Sequence, residues 1–397
     1  MASRSRIAVV FTVFVYAVAV RVAAQRGAPI IGQPLEGLGP TLTAAFDQGA
    51  RTFTKRYEIA DGLGPVFNDE SCSDCHRTPV IGGAGTRLVT RFGRVDDGGT
   101  FDPLVELGGS LIQTRGIGSV TTPFGSFTFS GEHVPPEATV VAHRRTTGLQ
   151  GLGLVDAVSD DAWLAIARDE AAVDPATAGR VSIVLDLLTR QPAVGKFGWK
   201  AQVPTLRQFA ADALMNEIGI TNPDFPDESC PGGDCSLLDF NPAPAMNDDG
   251  RDVDSLTDFQ RFLAPPARGA VTADVLAGER VFAEIGCASC HLPSIQTGAN
   301  AVAALNRVTF HPYSDFLLHD MGALGDSVAQ GQARGRDMRT APLWGLRSAG
   351  RLLHDGSAGS IDQAILRHDG QAAAARTRYS ALDAGRAAAL LAFLGSL

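Results

Sequence analysis

The chain has 397 residues, enough for two or three domains with buried cores. Hydrophobic residues make up 45% and charged residues 19%, which excludes a disordered chain. The formal net charge of −9 argues against a nucleic-acid partner, which needs a basic face, and allows steering toward a basic protein.

The N-terminus reads as an export signal. Arg4 and Arg6 form a positive region, 7–20 is an apolar run, and Val22-Ala23-Ala24 is a small-residue cleavage site. Residues 1–24 are therefore expected to be a signal peptide, the mature chain to begin at Gln25, and the location to be periplasmic. The apolar run is short for a membrane span and Arg21 follows it at once, so no stable span is expected after cleavage.

Residues 41–53 have the spacing of a helix, with Phe46, Gly49 and Phe53 on one face. The same Gly-x-x-x-Phe spacing returns at Gly278 and Phe282. Each copy precedes a shared short pattern. Cys72-Ser73-Asp74-Cys75-His76 and Cys287-Ala288-Ser289-Cys290-His291 are both Cys-x-x-Cys-His, the attachment pattern of a c-type haem. Two thiols bond the haem vinyl groups, and the following histidine reaches the iron as proximal ligand. A disulfide, a redox dithiol or half a zinc site would explain one copy. Two copies in an exported chain favour two covalent haems, on His76 and His291. Phe53 lies 19 residues before Cys72, and Phe282 only 5 before Cys287, so the first copy carries an insertion at 55–67.

After His76, residues 81–85 read as a flexible, glycine-rich stretch with no nucleotide fingerprint. Residues 86–146 read as a β-rich insertion, with strands expected within 116–130 and 137–144. Its His133 and His143 are expected at the surface or in hydrogen bonds. Helices are expected at 159–171, 175–189 and 205–218. Cys230 and Cys235, in Cys-Pro-Gly-Gly-Asp-Cys, suit a small disulfide loop in an oxidising compartment. An amphipathic helix carrying Val253, Leu256, Phe259 and Leu263 stops at Pro265-Pro266. These readings set an N-terminal haem domain at 25–264 and a second domain at 265–397.

In the second domain Thr272 caps a helix running toward Gly286. The haem motif follows, then a long loop with His319 and Met321, a short helix at 360–368 and a last helix at 381–394. Phe393-Leu394 mirrors Phe262-Leu263. Helix, haem motif and terminal helix thus occur twice, so the expected fold is mainly α, two cytochrome c-type domains with a β-rich insertion in the first. In the short helix Ile361, Ala364, Ile365 and His368 share one stripe, which makes His368 the candidate sixth ligand of the second haem, with Met321 as its rival. No residue stands out for the first haem.

Several segments together resemble the di-haem oxidoreductase family. They are Gly62-Leu63-Gly64-Pro65-Val66-Phe67-Asn68, Gly151-Leu152-Gly153-Leu154-Val155-Asp156-Ala157, Phe197-Gly198-Trp199-Lys200-Ala201, Leu318-His319-Asp320-Met321-Gly322 and Thr340-Ala341-Pro342-Leu343-Trp344-Gly345-Leu346-Arg347. More distantly the chain is similar to bacterial di-haem cytochrome c peroxidases and MauG-type enzymes. The resemblance implies peroxide or oxygen chemistry at the first haem, hydrogen peroxide being one such small oxidant. It also implies a small cytochrome or copper protein as electron donor, and a calcium ion between the haems. Trp199, seven residues before Leu206, would relay electrons between the haems. The relatives place a methionine ligand fourteen residues after the histidine of a His-Asp-Gly, and His354 plus fourteen is His368. They also use a distal Gln and Glu. Here Phe209 stands where the Gln is expected, Gln208 is one place off, and Glu217 lies only near the Glu position, which puts that peroxide mechanism in doubt. Two other readings remain open: a pure electron carrier with both irons six-coordinate, and a thiol–disulfide protein using Cys230 and Cys235.

Overall fold

The computed structural model describes residues 31–123 and 125–397. The expected signal peptide lies outside the described residues. The first described helix, α1 (Pro40–Thr54), has proline at its first position, where a missing N–H costs nothing. It buries Phe46, Gly49 and Phe53, the face read from the sequence.

The β-rich stretch follows. Strand β1 (Leu88–Val95) leads to a hairpin of β2 (Gly118–Thr122) and β3 (Gly125–Phe129), and then β4 (Val140–Arg145) pairs antiparallel with β1. His133 and His143 are exposed, and His143 Nδ1 shares a hydrogen bond with Thr90 Oγ1 at 3.2 Å.

Helix α2 (Asp160–Val173) is capped by Ser159, whose Oγ accepts the Ala162 N–H, with Asp160 and Asp161 in the first turn. The helix expected at 175–189 is absent. Its place is taken by a hairpin, β5 (Ser182–Asp186) and β6 (Gln191–Gly195). The Asp186 carboxylate makes the turn, accepting from Leu188 N at 2.9 Å and Thr189 Oγ1 at 2.9 Å.

Helix α3 (Leu206–Ile218) starts on the Thr205 cap and ends at Gly219, whose φ of +79° closes it. Helix α4 (Arg251–Phe262) then crosses α1. A Cβ at Gly49 would sit 2.2 Å from the Ser255 carbonyl oxygen, so only glycine allows the approach. Phe259 packs between Phe46 and Phe53, with ring centroids 5.3 and 4.7 Å away.

The second half repeats this crossing. Helix α5 (Ala273–Glu284), capped by the Thr272 hydroxyl, packs on the last helix. Between them come β7 (Leu318–Asp320), paired with β8 (Asp337–Arg339), then α6 (Ile361–Leu366) and α7 (Ala373–Ser380). The last helix, α8 (Ala384–Leu394), begins three residues later than expected, because the Asp383 carboxylate accepts the Arg386 N–H and caps it there. A Cβ at Gly278 would sit 1.9 Å from the Ala389 carbonyl oxygen, and Phe282 meets Phe393 at 5.2 Å.

One core joins α1, α3 and α4 and reaches Phe310 and Phe316, while another joins α5 and α8 through Phe282, Tyr313 and Phe393. Helix dominates, but the β5–β6 and β7–β8 hairpins put strand outside the expected insertion. Among the described residues no helix is long and apolar enough to cross a membrane.

Candidate haem sites

The second Cys-x-x-Cys-His lies at the end of α5, where Gly286, at φ +84°, ends the helix before the motif turn. Cys287 and Cys290 are free thiols, and burial pushes Cys287 up to about 12, so it is neutral and uncharged. The His291 Nδ1 donates to the Tyr313 carbonyl at 2.8 Å, and the His368 Nδ1 donates to the Ala364 carbonyl at 2.8 Å. Each ring therefore commits one nitrogen to a carbonyl and leaves Nε2 for another partner, the usual arrangement of a metal-binding histidine. The two rings lie with centroids 6.5 Å apart and planes inclined by 55°. A metal–imidazole bond is about 2.0–2.1 Å and a ring centre lies about 1.1 Å behind its nitrogen, so one iron between two imidazoles needs about 6.2–6.4 Å. Burial holds His291 down to about 4 and lowers His368, which keeps both neutral, as ligation requires. The residues present thus fit a haem with histidine on both faces.

Of the two alternatives on the long loop, His319 is engaged elsewhere. His319 is buried, with Nε2 on Asp315 Oδ2 at 2.8 Å and Nδ1 3.6 Å from Cys290 Sγ. Burial opposes its charge, but the Asp315 carboxylate outweighs that and raises its pKa well above the ordinary histidine value. Met321 lines the same cavity as His368.

The first motif forms a short helical turn, Cys72–Cys75, capped by Ser71. Burial pushes both thiols up to about 12, with Asp69 adding to the shift at Cys75. His76 Nδ1 donates to the Gly83 carbonyl at 3.2 Å, and burial lowers the ring to about 4. The 81–85 stretch, expected to be flexible, is instead packed on the motif. A Cβ at Gly85 would sit 2.0 Å from the Cys75 carbonyl oxygen, and one at Gly83 would sit 2.1 Å from that of Thr78. The ring recorded against His76, among the described residues, is Phe53 at 6.0 Å.

Glu217, near the end of α3, accepts from Asn68 Nδ2 at 2.7 Å and lies within electrostatic reach of Cys72 and Cys75. Burial raises its pKa, and Arg91 pulls it back. Arg91 and Asp212 belong to the same group. All three side chains are half-buried. Sequence reading missed Arg91 and Asp212; β1 carries two arginines, Arg91 and Arg94, and nothing local separates the one in this group from the other. Gln208 is not in this group. It braces the β5–β6 turn, its Oε1 accepting the Leu187 N–H at 2.9 Å.

A cavity of about 360 Å³ is lined by Cys287, Cys290, His291 and His368, and also by Thr78 and Pro79, which follow the first motif in the chain. Trp199 is half-buried in its wall, its Nε1 donating to the Arg145 carbonyl at 3.0 Å. The described residues bring together one group of three metal-ligating side chains, Cys290, Asp315 and His319. Its sulfur and nitrogen donors suit calcium poorly, and they do not supply the calcium site that the sequence resemblance implied.

Residues 133–397 match the family described as "Di-haem oxidoreductase, putative peroxidase". The chain belongs to that family and is an oxidoreductase. The matched span begins after the first cysteine motif. No curated protein matches it. Among solved structures, hydrazine synthase of Kuenenia stuttgartiensis, in a xenon-pressurised structure, is similar at 12% identity and a TM-score of 0.34, covering 99% of this chain and 100% of that one. A MauG-like protein associated with microbial copper homeostasis is similar at 15% identity and a TM-score of 0.37, covering 94% and 95%. Both likenesses are remote.

Proposed function

We propose that the protein is an exported, periplasmic oxidoreductase that carries two covalent haems and reduces peroxide, or activates oxygen, at the first of them. The observation that carries the haem reading of the second site is the spacing of His291 and His368, with both Nδ1 atoms held by carbonyls. Cys287, Cys290, His291 and His368 would hold the second haem, and Cys72, Cys75 and His76 would hold the first. Haem iron with a free face supplies redox chemistry toward small oxidants, and iron ligated on both faces mainly moves electrons.

The chain's own residues divide the rest. His291 and His368 each keep a proton on Nδ1, through the Tyr313 and Ala364 carbonyls, so each Nε2 is the donor nitrogen. Glu217 holds or releases a proton beside the first site, with its pKa raised by burial. Arg91 sets a positive charge nearby. A small donor protein, a cytochrome or a copper protein, would deliver electrons at the second site, and Trp199, in the wall of the cavity beside it, would relay them to the first. Support for a free face at the first site is that each motif histidine meets its equivalent phenylalanine, Phe53 or Phe282, whereas a second imidazole within such range is found, among the described residues, at His291.

The test is rapid mixing of hydrogen peroxide with oxidised and half-reduced protein while the Soret band is followed. A fast change in either state supports the enzyme reading. No change in both, together with failure to bind cyanide or carbon monoxide, replaces it with the electron-carrier reading.

A further inference from the structure

Lys200 has no exposed surface, yet most of its partners are not carboxylates. Its ammonium donates to the main-chain carbonyls of Asp337 at 2.6 Å, Gly335 at 3.1 Å and Arg334 at 3.3 Å, and it lies 2.8 Å from Asp326 Oδ1. All four oxygens come from one stretch, 326–337. A simple buried ion pair uses carboxylates. Three carbonyls and one carboxylate are the donor set of a hard-cation site.

The stretch is built to hold that shape. The Ser327 N–H donates to the Gly335 carbonyl at 3.0 Å, and the Val328 N–H to Asp326 Oδ1 at 3.1 Å. Arg144 Nε holds Asp326 Oδ2 at 2.7 Å, and Arg180 and Arg334 hold the Asp337 carboxylate. A Cβ at Gly335 would come within 2.8 Å of the Ser327 backbone, so the loop closes on itself there. The cation comes from the other half of the chain, one residue after Trp199. The Trp199 carbonyl is fixed by the Arg339 N–H at 2.9 Å, from β8, just past the loop.

We propose that residues 326–337 form a cation-binding loop whose occupant is the chain's own Lys200 ammonium, and that this tethered cation fixes Trp199 in the wall of the cavity beside the second motif. The charge balance sets the class of ligand. With the lysine removed, Asp326 and Asp337 still face Arg144, Arg180 and Arg334, so no divalent cation is favoured, and the three carbonyl oxygens and Asp326 Oδ1 suit only a small singly charged cation of ammonium type. Lys200 is thus a positioning residue for Trp199. The second half of the proposal rests on the relay reading of Trp199; the loop itself does not.

Lys200→Ala in the haem-loaded protein tests it. The expected result is a fall of about 5–15 °C in melting temperature, since one member of a buried charge group is removed. Methylammonium chloride at tens of millimolar restores most of it, and tetramethylammonium, too large for the loop, restores none. Lys200→Met fills the same space without charge, so it melts low and gains nothing from methylammonium. An unchanged melting temperature in Lys200→Ala, or equal recovery with both salts, overturns the loop. If Lys200→Ala does not fold, the yield of folded protein from cells grown with and without methylammonium is compared, and equal yields overturn it. The relay is read separately, as the rate of electron passage between the haems after half-reduction. That rate falls in Lys200→Ala and recovers with methylammonium. If Trp199→Phe leaves it unchanged, the relay reading fails while the loop stands on the melting data.

Discussion

The imidazoles of His291 and His368 lie 6.5 Å apart, centroid to centroid, though 77 residues separate them in the chain, and each is held by a main-chain carbonyl. Tyr313 orients one ring and α6 the other, so the gap is set by backbone and not by the histidines themselves. Replacing His368 with methionine is expected to raise the midpoint potential of one haem, and only one, by on the order of 100 mV. His368→Ala is expected to open that haem to added imidazole. A redox titration that leaves both potentials unmoved would remove His368 from the site.

Gly278 and Gly49 place two helix crossings under the same constraint. Gly278→Ala puts a methyl group 1.9 Å from the Ala389 carbonyl oxygen, and α5 and α8 must separate to admit it. The expected cost is about 1–3 kcal/mol, seen as a drop of several degrees in thermal unfolding. Gly350→Ala, with nothing near its added Cβ, serves as control and should change stability by less than about 0.5 kcal/mol.

Glu228 makes a pH-dependent prediction. Its Oε1 accepts from Asn241 Nδ2 at 3.1 Å, its Oε2 is buried without a partner, and burial pushes it from 4.5 up to about 7. Between those values the native state binds more protons than the unfolded chain, so this group's contribution to stability falls as pH rises from 4.5 to 7. Glu228→Gln lacks that loss. At pH 8 it should be more stable by about 1–3 kcal/mol, allowing for partial exposure, and near pH 4.5 it should show no gain. Denaturant titrations at the two pH values decide this.

Cys230 and Cys235 are disulfide-bonded, as their spacing suggested. Changing both to serine should lower stability by about 1–3 kcal/mol and leave peroxide turnover in place. Turnover lost at a temperature where the variant is still folded would move the activity to the cysteine pair.

The sequence made the parts governed by fixed spacing legible. The Cys-x-x-Cys-His copies, the Gly-x-x-x-Phe faces and the Thr272 cap each depend on residues within one or two turns of one another. The stretch Val181-Ser182-Ile183-Val184-Leu185-Asp186 did not reveal itself, because a short apolar run suits helix and strand equally, and the deciding bonds are the Asp186 turn and the Gln208 brace from α3. The β7–β8 hairpin escaped for a related reason, since three-residue strands have no period to read. Arg91 and Lys200 gave little notice. Their surroundings are assembled from distant segments, and no local pattern marks a cation that will end up buried.

The Asn68–Glu217 hydrogen bond spans 149 residues of chain, about twice the separation of His291 and His368. Each doubling of a closed loop adds only about 0.6 kcal/mol of closure cost, so the greater span is no great burden on the fold. Its effect is to tie the residues around Cys72 and Cys75 to a helix far along the chain, so that a single proteolytic nick between them leaves the two ends of that bond on separate pieces.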